Sequence, residues 1–232
     1  MMVRQPPSPR KSWTALGLAL IAAPLAAAQT RVPDSIATLE QGIVAETNLL
    51  RRDPQAYAKL LEELLPRFEG SILSRPGALP LQTREGKSAV EEAIQALRRA
   101  SPMDTLVSSK DMALAARDHV RDQGPRGDRG HDGSDGSTFA DRVSRYGVWD
   151  GGLGENIYYG EGSAREVVAQ LLIDDGISSR SHRKTLLNPT FRMVGVACGS
   201  HARNRQMCVM EYAVLFAPGA TADGPVRTQT PP

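Results

Sequence analysis

The sequence predicts an α+β fold, and three observations carry that reading. Segments with apolar residues at helical spacing fill much of the chain from Asp34 to Leu172, several of them opened by Ser-x-x-Asp/Glu signals. Two stretches near the C-terminal end alternate apolar and other residues instead, as a half-buried hairpin does. No internal repeat or second domain boundary interrupts the 232 residues, a length that suits one domain with a substantial core. Helices that precede and flank a small antiparallel sheet make an α+β layout.

Residues 1–28 read as a secretory signal peptide. Arg4, Arg10 and Lys11 precede an apolar run from Trp13 to Leu25, which ends in Ala26-Ala27-Ala28, so cleavage is expected after Ala28. The run is short and Pro24 awkward for a membrane span; an uncleaved anchor is the alternative. No later stretch approaches membrane length, so the mature chain is expected to be soluble, without an integral membrane span, and secreted or periplasmic. The 28 basic and 26 acidic residues give a net charge of +2. Without Arg4, Arg10 and Lys11 the balance is 25 against 26, a net −1. The basicity belongs to the leader. With few aromatics and no basic stripe, nucleic acid is not an expected partner, and a monomer is expected.

Ile36, Leu39, Ile43 and Val44 begin a helix that stops at Asp53-Pro54. Gln55 to Leu65 forms a second, ended by Pro66. Residues 67–86, with Pro76, Gly77, Pro80 and Gly86, are an irregular connection. Ser88 and Glu91 form a capping box before Val90, Ala93, Ile94 and Leu97. Ser108 and Asp111 open the next helix, to about Asp122. Residues 123–136 are rich in glycine and charge and read as loop. Ser163 and Glu166 box a further helix holding Val167, Val168, Leu171 and Leu172. From Pro218 on, Gly, Pro and Thr make a tail unlikely to fold, 219–232.

Val194, Val196 and Cys198 share one face of a strand, and Cys208, Met210, Tyr212 and Val214 one face of the next. Placing Cys198 opposite Cys208 sets Val196 on Met210 and Val194 on Tyr212, so one register satisfies every pair. Opposed residues lie within disulfide range, and an exported chain favours the bond. Two reduced buried thiols are the alternative in a reducing compartment. Ten residues of separation match no compact zinc motif.

Four polar clusters stand out: residues 130–136 around His131, Gly154-Glu155-Asn156-Ile157, Asp174-Asp175, and Arg180-Ser181-His182-Arg183. Two imidazoles and two carboxylates can hold a divalent cation or move protons. With His119-Val-Arg-Asp122, Arg142 and Tyr146-Gly147, these clusters in this order resemble the CAP superfamily of cysteine-rich secretory proteins, antigen-five allergens and pathogenesis-related class-one proteins. The resemblance covers about Asp34 to Pro218 and is closest to single-domain bacterial members. It implies a three-layer α-β-α sandwich with a small antiparallel sheet, and a cleft lined by His131, Glu155, Asp174 and His182. Where relatives carry Trp three residues before Glu, this chain has Leu171 and Asp174, one methylene shorter.

Each residue also has a local reading. His131 can cap its loop, and Glu155 can bind turn amides. Asp174 or Asp175 can neutralise Arg180 or Arg183. His182 can start a helix. His119 packs or pairs near Asp122, and His201, in the hairpin loop, is expected to be solvated. Asn156, His119 and Arg183 are the supporting residues. The resemblance implies a secreted binding protein for a lipid or sterol-like ligand, or for one divalent cation, Zn, Ca or Mg. The alternative is a metal-dependent hydrolase or protease in which His131 and His182 hold the metal and Glu155 activates water. The residues lack the His-Glu-x-x-His spacing of a protease helix. No Gly-x-Ser-x-Gly elbow supports a serine mechanism. The binding reading is preferred.

Overall fold

The computed structural model describes residues 35–75, 77 and 79–219. The expected signal peptide, 1–28, lies outside the described residues, as does the expected tail beyond Gly219. Helix α1 (Ile36–Arg52) opens on Ser35, whose Oγ accepts from the Thr38 amide, and buries Leu39, Ile43, Thr47 and Leu50 along one stripe. Asp53 ends α1 and caps α2 (Pro54–Glu62), with Pro54 in the first turn, where its missing N–H costs nothing. The α2 helix stops short of the expected Leu65, because Leu65–Arg67 tighten into a 3-10 turn around Pro66.

The connection expected to be irregular contains a small antiparallel sheet, β1 (Phe68–Glu69), β2 (Ile72–Leu73) and β3 (Leu81–Gln82). Helix α3 (Lys87–Arg99) starts after Gly86 without a side-chain cap. Ser88 Oγ donates to the Glu85 carbonyl instead, so the expected Ser88–Glu91 box does not form. Residues Val107–Ser108 are a strand, β4, and the cap of α4 (Lys110–Arg126) therefore falls one residue later, on Ser109. Helix α4 runs four residues past the expected end at Asp122. A capping box of Thr138 and Asp141 starts α5 (Phe139–Ser144). The predicted Ser163–Glu166 box does open α6 (Ala164–Ile173). Helix α7 is Ser181–Leu186.

The main sheet has the order β4-β6-β7-β5, with β5 (Gly147–Tyr159), β6 (Met193–His201) and β7 (Arg205–Pro218) antiparallel and β4 parallel to β6. The hairpin register is the predicted one: Cys198 faces Cys208, Val196 faces Met210 and Val194 faces Tyr212. The two cysteines form a disulfide with Cα atoms 4.1 Å apart. Val194, Val196, Cys198, Cys208, Met210 and Tyr212 pack on α1, α3 and α6. The alternate residues Ala197, Met207, Val209 and Ala213 face α4 and α5 across the sheet, against Ala116, Val120 and Val143. Period-two alternation in the strands thus places helices on both faces, giving the α-β-α sandwich.

Two buried arginines fasten α7 beneath this sandwich. Arg51 is fully buried and donates to the carbonyls of Asp104, Leu186, Asn188 and Phe191. Arg183 donates to the carbonyls of Leu172 and Ile173 at the end of α6 and to Glu92. Each guanidinium satisfies helix-end carbonyls that would otherwise be buried without a donor.

Candidate ligand-binding cleft

Strand β5 is the last in the sheet, so one of its edges is free. Glu155 and Asn156, adjacent on β5, point to opposite faces. Glu155 lies on the α4/α5 side with its side chain fully buried. His131, from the loop after α4, donates Nδ1–H to Glu155 Oε1 at 2.7 Å, and Arg142 of α5 donates to Oε2 at 2.7 Å. Arg142 also donates to the carbonyls of His131 and Ser137. Glu155 therefore binds an imidazole and a guanidinium, and the turn-amide role expected as its local alternative is not formed.

On the other face, Asp174 ends α6 in the left-handed region, φ 58°. Its Oδ1 accepts from His182 Nδ1 at 2.6 Å, and its Oδ2 accepts the amides of His182 and Arg183. One carboxylate thus orients the imidazole and caps the start of α7. Neither acid neutralises Arg180 or Arg183 as their local alternative held. Arg180 pairs with Glu85 and Glu92, Arg183 pairs with Glu92, and Asp175 accepts the amides of Arg84 and Glu85. The hydrogen bonds of Arg180 and the Gly176 amide lower the Glu85 pKa to about 2. Asn156 Nδ2 donates to the His182 carbonyl, fixing α7 on β5.

The four candidate residues accordingly form two carboxylate–histidine pairs. In both, Nδ1 carries the proton toward the acid, and Nε2 has no hydrogen-bond partner among the described residues. All four carboxylate oxygens are already engaged by donors of the protein. Among the described residues no group of three or more His, Cys, Asp or Glu side chains converges to hold a metal ion. Each carboxylate serves here as the acceptor that orients its histidine ring.

The pKa directions follow from these contacts. The hydrogen bond to Glu155 raises His131 above the usual histidine value, outweighing its partial burial. Burial acts to raise Glu155, but the hydrogen bonds of His131 and Glu211 and the charge of Arg142 bring it below the usual carboxylate value. Burial and the adjacent Glu155 charge hold Glu211 well above it.

Of the groups that anchor the His131 loop, the sequence brings forward His119 and misses Gln123 and Tyr159. His119 Nε2 and Gln123 Nε2 both donate to the Gly130 carbonyl, while the Gly130 amide donates to Tyr159 Oη. Tyr159 Oη in turn donates to Gln123 Oε1. Burial lowers the His119 pKa, so a neutral ring suits this role. His201 is 1% exposed, not solvated as expected. Its Nε2 donates to the Asp128 carbonyl and its Nδ1 accepts the Arg203 and Asn204 amides, so the hairpin turn grips the same loop. Alternation along β5 could have flagged Tyr159; nothing local to His201 signals a partner seventy-three residues away.

A cavity of about 200 Å³ completes the site. Ile157, Tyr158 and Tyr159 all line it. Consecutive strand residues point to opposite faces, so a cavity touching all three wraps the free edge of β5. Leu171, Asp174 and His182 line it from α6 and α7, and Arg129 from the His131 loop.

The family model for CAP, the cysteine-rich secretory protein family, matches residues 91–212, which is 122 of the 232 residues. The chain belongs to this family. All four paired residues of this CAP domain lie within the matched span. Among solved structures, it is similar to an extracellular protein containing an SCP domain from Bacillus anthracis, at 22% identity and a TM-score of 0.39. That similarity covers 53% of this chain and 38% of the other, so the chain spans well under half of that protein's length. An outer surface protein from Borrelia burgdorferi is similar at 19% identity and a TM-score of 0.41, over 48% of this chain and 78% of that one. No curated protein matches the chain significantly.

Proposed function

We propose that this CAP protein is an extracytoplasmic binding protein for an amphipathic small molecule, held in the cleft along the free edge of β5. One observation carries the reading: the cavity joins an apolar wall of Leu81, Ile157, Leu171 and Ile177 to a polar end formed by the Asp174–His182 pair. Such a lining suits a ligand with an apolar arm and a hydrogen-bonding group. The His182 Nε2, without a hydrogen-bond partner among the described residues, supplies the matching donor or acceptor. At about 200 Å³ the cavity is smaller than ordinary small-molecule sites of roughly 300–1,000 Å³. It therefore takes one chain of a lipid in preference to an enclosed sterol. The disulfide and the leader-like first residues support a location outside the cytoplasm. No hydroxyl or thiol among the described residues is hydrogen-bonded to either Nε2, so the pairs are not arranged to activate a side-chain nucleophile.

The test is calorimetric titration of the purified mature chain with octanol. Ile177 lines the cavity and is 39% exposed, so Ile177→Asp places a charge in the cleft without entering the core. Saturable binding by the wild type that is lost in Ile177→Asp is the expected result. Equal binding by both proteins, or by neither, overturns the reading.

A further inference from the structure

A second cavity, of about 530 Å³, opens beside the first between the end of α4, the 127–134 loop and the β6–β7 turn. Three arginines line it: Arg126, Arg129 and Arg203. Arg126 is engaged by Asp122 and Asp128, at 2.9 Å each. Arg129 and Arg203 have no carboxylate partner among the described residues. Against them stands Asp132, so the lining, with Asp128 counted against Arg126, is net positive.

The Arg129 guanidinium rests on a ring, and the Arg203 side chain packs on the end of α4. The Arg129 guanidinium lies 4.7 Å from the Tyr159 ring centroid. A guanidinium stacked on a ring keeps its in-plane N–H donors available to an oxyanion fork. The Arg203 side chain lies across Gly127, where a Cβ would stand 2.8 Å from Arg203 Cγ. Gly127, at φ 71°, ends α4 in the left-handed region, and its missing side chain makes the space Arg203 occupies. Arg129 also lines the apolar cleft, so the two cavities share a wall.

We propose that Arg129 and Arg203 form an oxyanion subsite for the phosphate head of an amphiphile whose apolar arm lies in the β5 cleft. This rests on the cleft reading above for the arm, while the head site stands on the arginine cavity. Guanidinium groups recognise phosphate oxygens through paired N–H donors, which gives geometry as well as charge. The polar end and the apolar arm are then read by different residues, Arg129 standing between them.

The experiment titrates the mature chain with octyl phosphate, octanol and inorganic phosphate. It uses the wild type, Arg129→Gln and Arg203→Gln, all at exposed positions, with melting temperatures as a folding control. Octyl phosphate should bind the wild type at least roughly ten-fold tighter than octanol, as charge-assisted hydrogen bonds warrant. Each substitution should remove most of that gap, and Arg203→Gln should leave octanol binding unchanged. The gap should also shrink with added salt. If octyl phosphate and octanol bind alike, or if the gap survives both substitutions, the oxyanion subsite is overturned while the cleft reading stands. If inorganic phosphate binds and is lost with either arginine while octanol never binds, the subsite stands for free phosphate and the amphiphile is overturned.

Discussion

Glu155 and Glu211 stand directly opposite each other across the β5–β7 ladder, both buried on the face that meets α4 and α5. Two ionised carboxylates in that position would repel strongly, and among the described residues only Arg142 offers a nearby positive guanidinium. Among the described residues neither Glu211 oxygen accepts a hydrogen bond, whereas a protonated Glu211 can itself donate to Glu155. The arrangement is thus an acid and a carboxylate sharing one proton, with His131 at the solvent end.

Glu211 should make the protein less stable as pH rises. Its folded pKa lies well above the unfolded value of about 4.3, so between the two the folded chain binds more protons. The contribution is fully present below the unfolded value and is lost as pH climbs toward the folded one. Glu211→Gln mimics the neutral acid, so urea midpoints should show the variant gaining on the wild type from about pH 4.3 upward. Parallel pH profiles for the two proteins would refute a buried proton on Glu211.

The two histidines on either side of Gly130 should titrate apart. NMR should place His131 above the usual histidine pKa, because Glu155 stabilises its cation, and His119 below it, because burial opposes charge. The signs for stability are opposite. The His131 contribution is present below the unfolded pKa and lost as pH rises through the folded one. Neutral His119 costs nothing above its unfolded pKa and destabilises the fold as pH falls below it. Glu155→Gln should pull His131 back toward the ordinary value and leave Arg142 buried without a full counter-charge, costing about 3–5 kcal/mol. An unmoved His131 pKa in that variant would show that the pair does not set its charge.

Non-reducing mass spectrometry should find Cys198 joined to Cys208, and reduction should cost roughly 3 kcal/mol in the chain-entropy model for so short a loop. The measurement is a denaturation midpoint with and without reductant; an unchanged midpoint counts against the bond's role.

The register of this hairpin was legible because both strands alternate without a break. The capped α6 and the Asp53-Pro54 junction were legible for similar reasons: each signal acts on its nearest neighbours. Glycine misled the reading elsewhere. Gly124 sits inside α4 because a Cβ there would stand 2.4 Å from the Ser200 carbonyl, so it reports close helix-to-strand packing and not a loop. Gly154 plays the same part in β5, where a Cβ would meet the Phe191 ring at 2.9 Å. Two-residue strands such as β1 and β4 carry no period to detect. Resemblance brought His131, Glu155, Asp174 and His182 forward together, yet their division into pairs depends on the two faces of β5. That follows from the sheet order, which no local pattern encodes.

Leu171 is 4% exposed and belongs to the main core while also touching the cleft. Leu171→Ala should cost about 2–5 kcal/mol. Leu171→Trp should cost less, because its ring can extend into the cavity of about 200 Å³, and it should weaken octanol binding by filling that space. A Trp variant less stable than the Ala variant would close off that wall.

The last prediction concerns Asp174, where relatives of the resembled pattern carry Glu. The structure gives aspartate two reasons to stand here. Its φ of 58° lies in the left-handed region, which Asp and Asn tolerate better than longer side chains. Its short side chain also reaches the His182 and Arg183 amides and His182 Nδ1 at once. Asp174→Asn keeps the backbone preference and one acceptor oxygen but turns the other into a donor, so it should cost about 1–3 kcal/mol for the charge-assisted bonds it loses. Asp174→Glu keeps the charge but adds a left-handed penalty of roughly 1–2 kcal/mol and moves the carboxylate off the α7 cap. Glu should therefore be the more damaging of the two in urea denaturation, despite matching the family's side chain. A Glu variant as stable as the wild type would show that α7 shifts to accept the longer acid, and that the Asp174–His182 pair is not what fixes the helix.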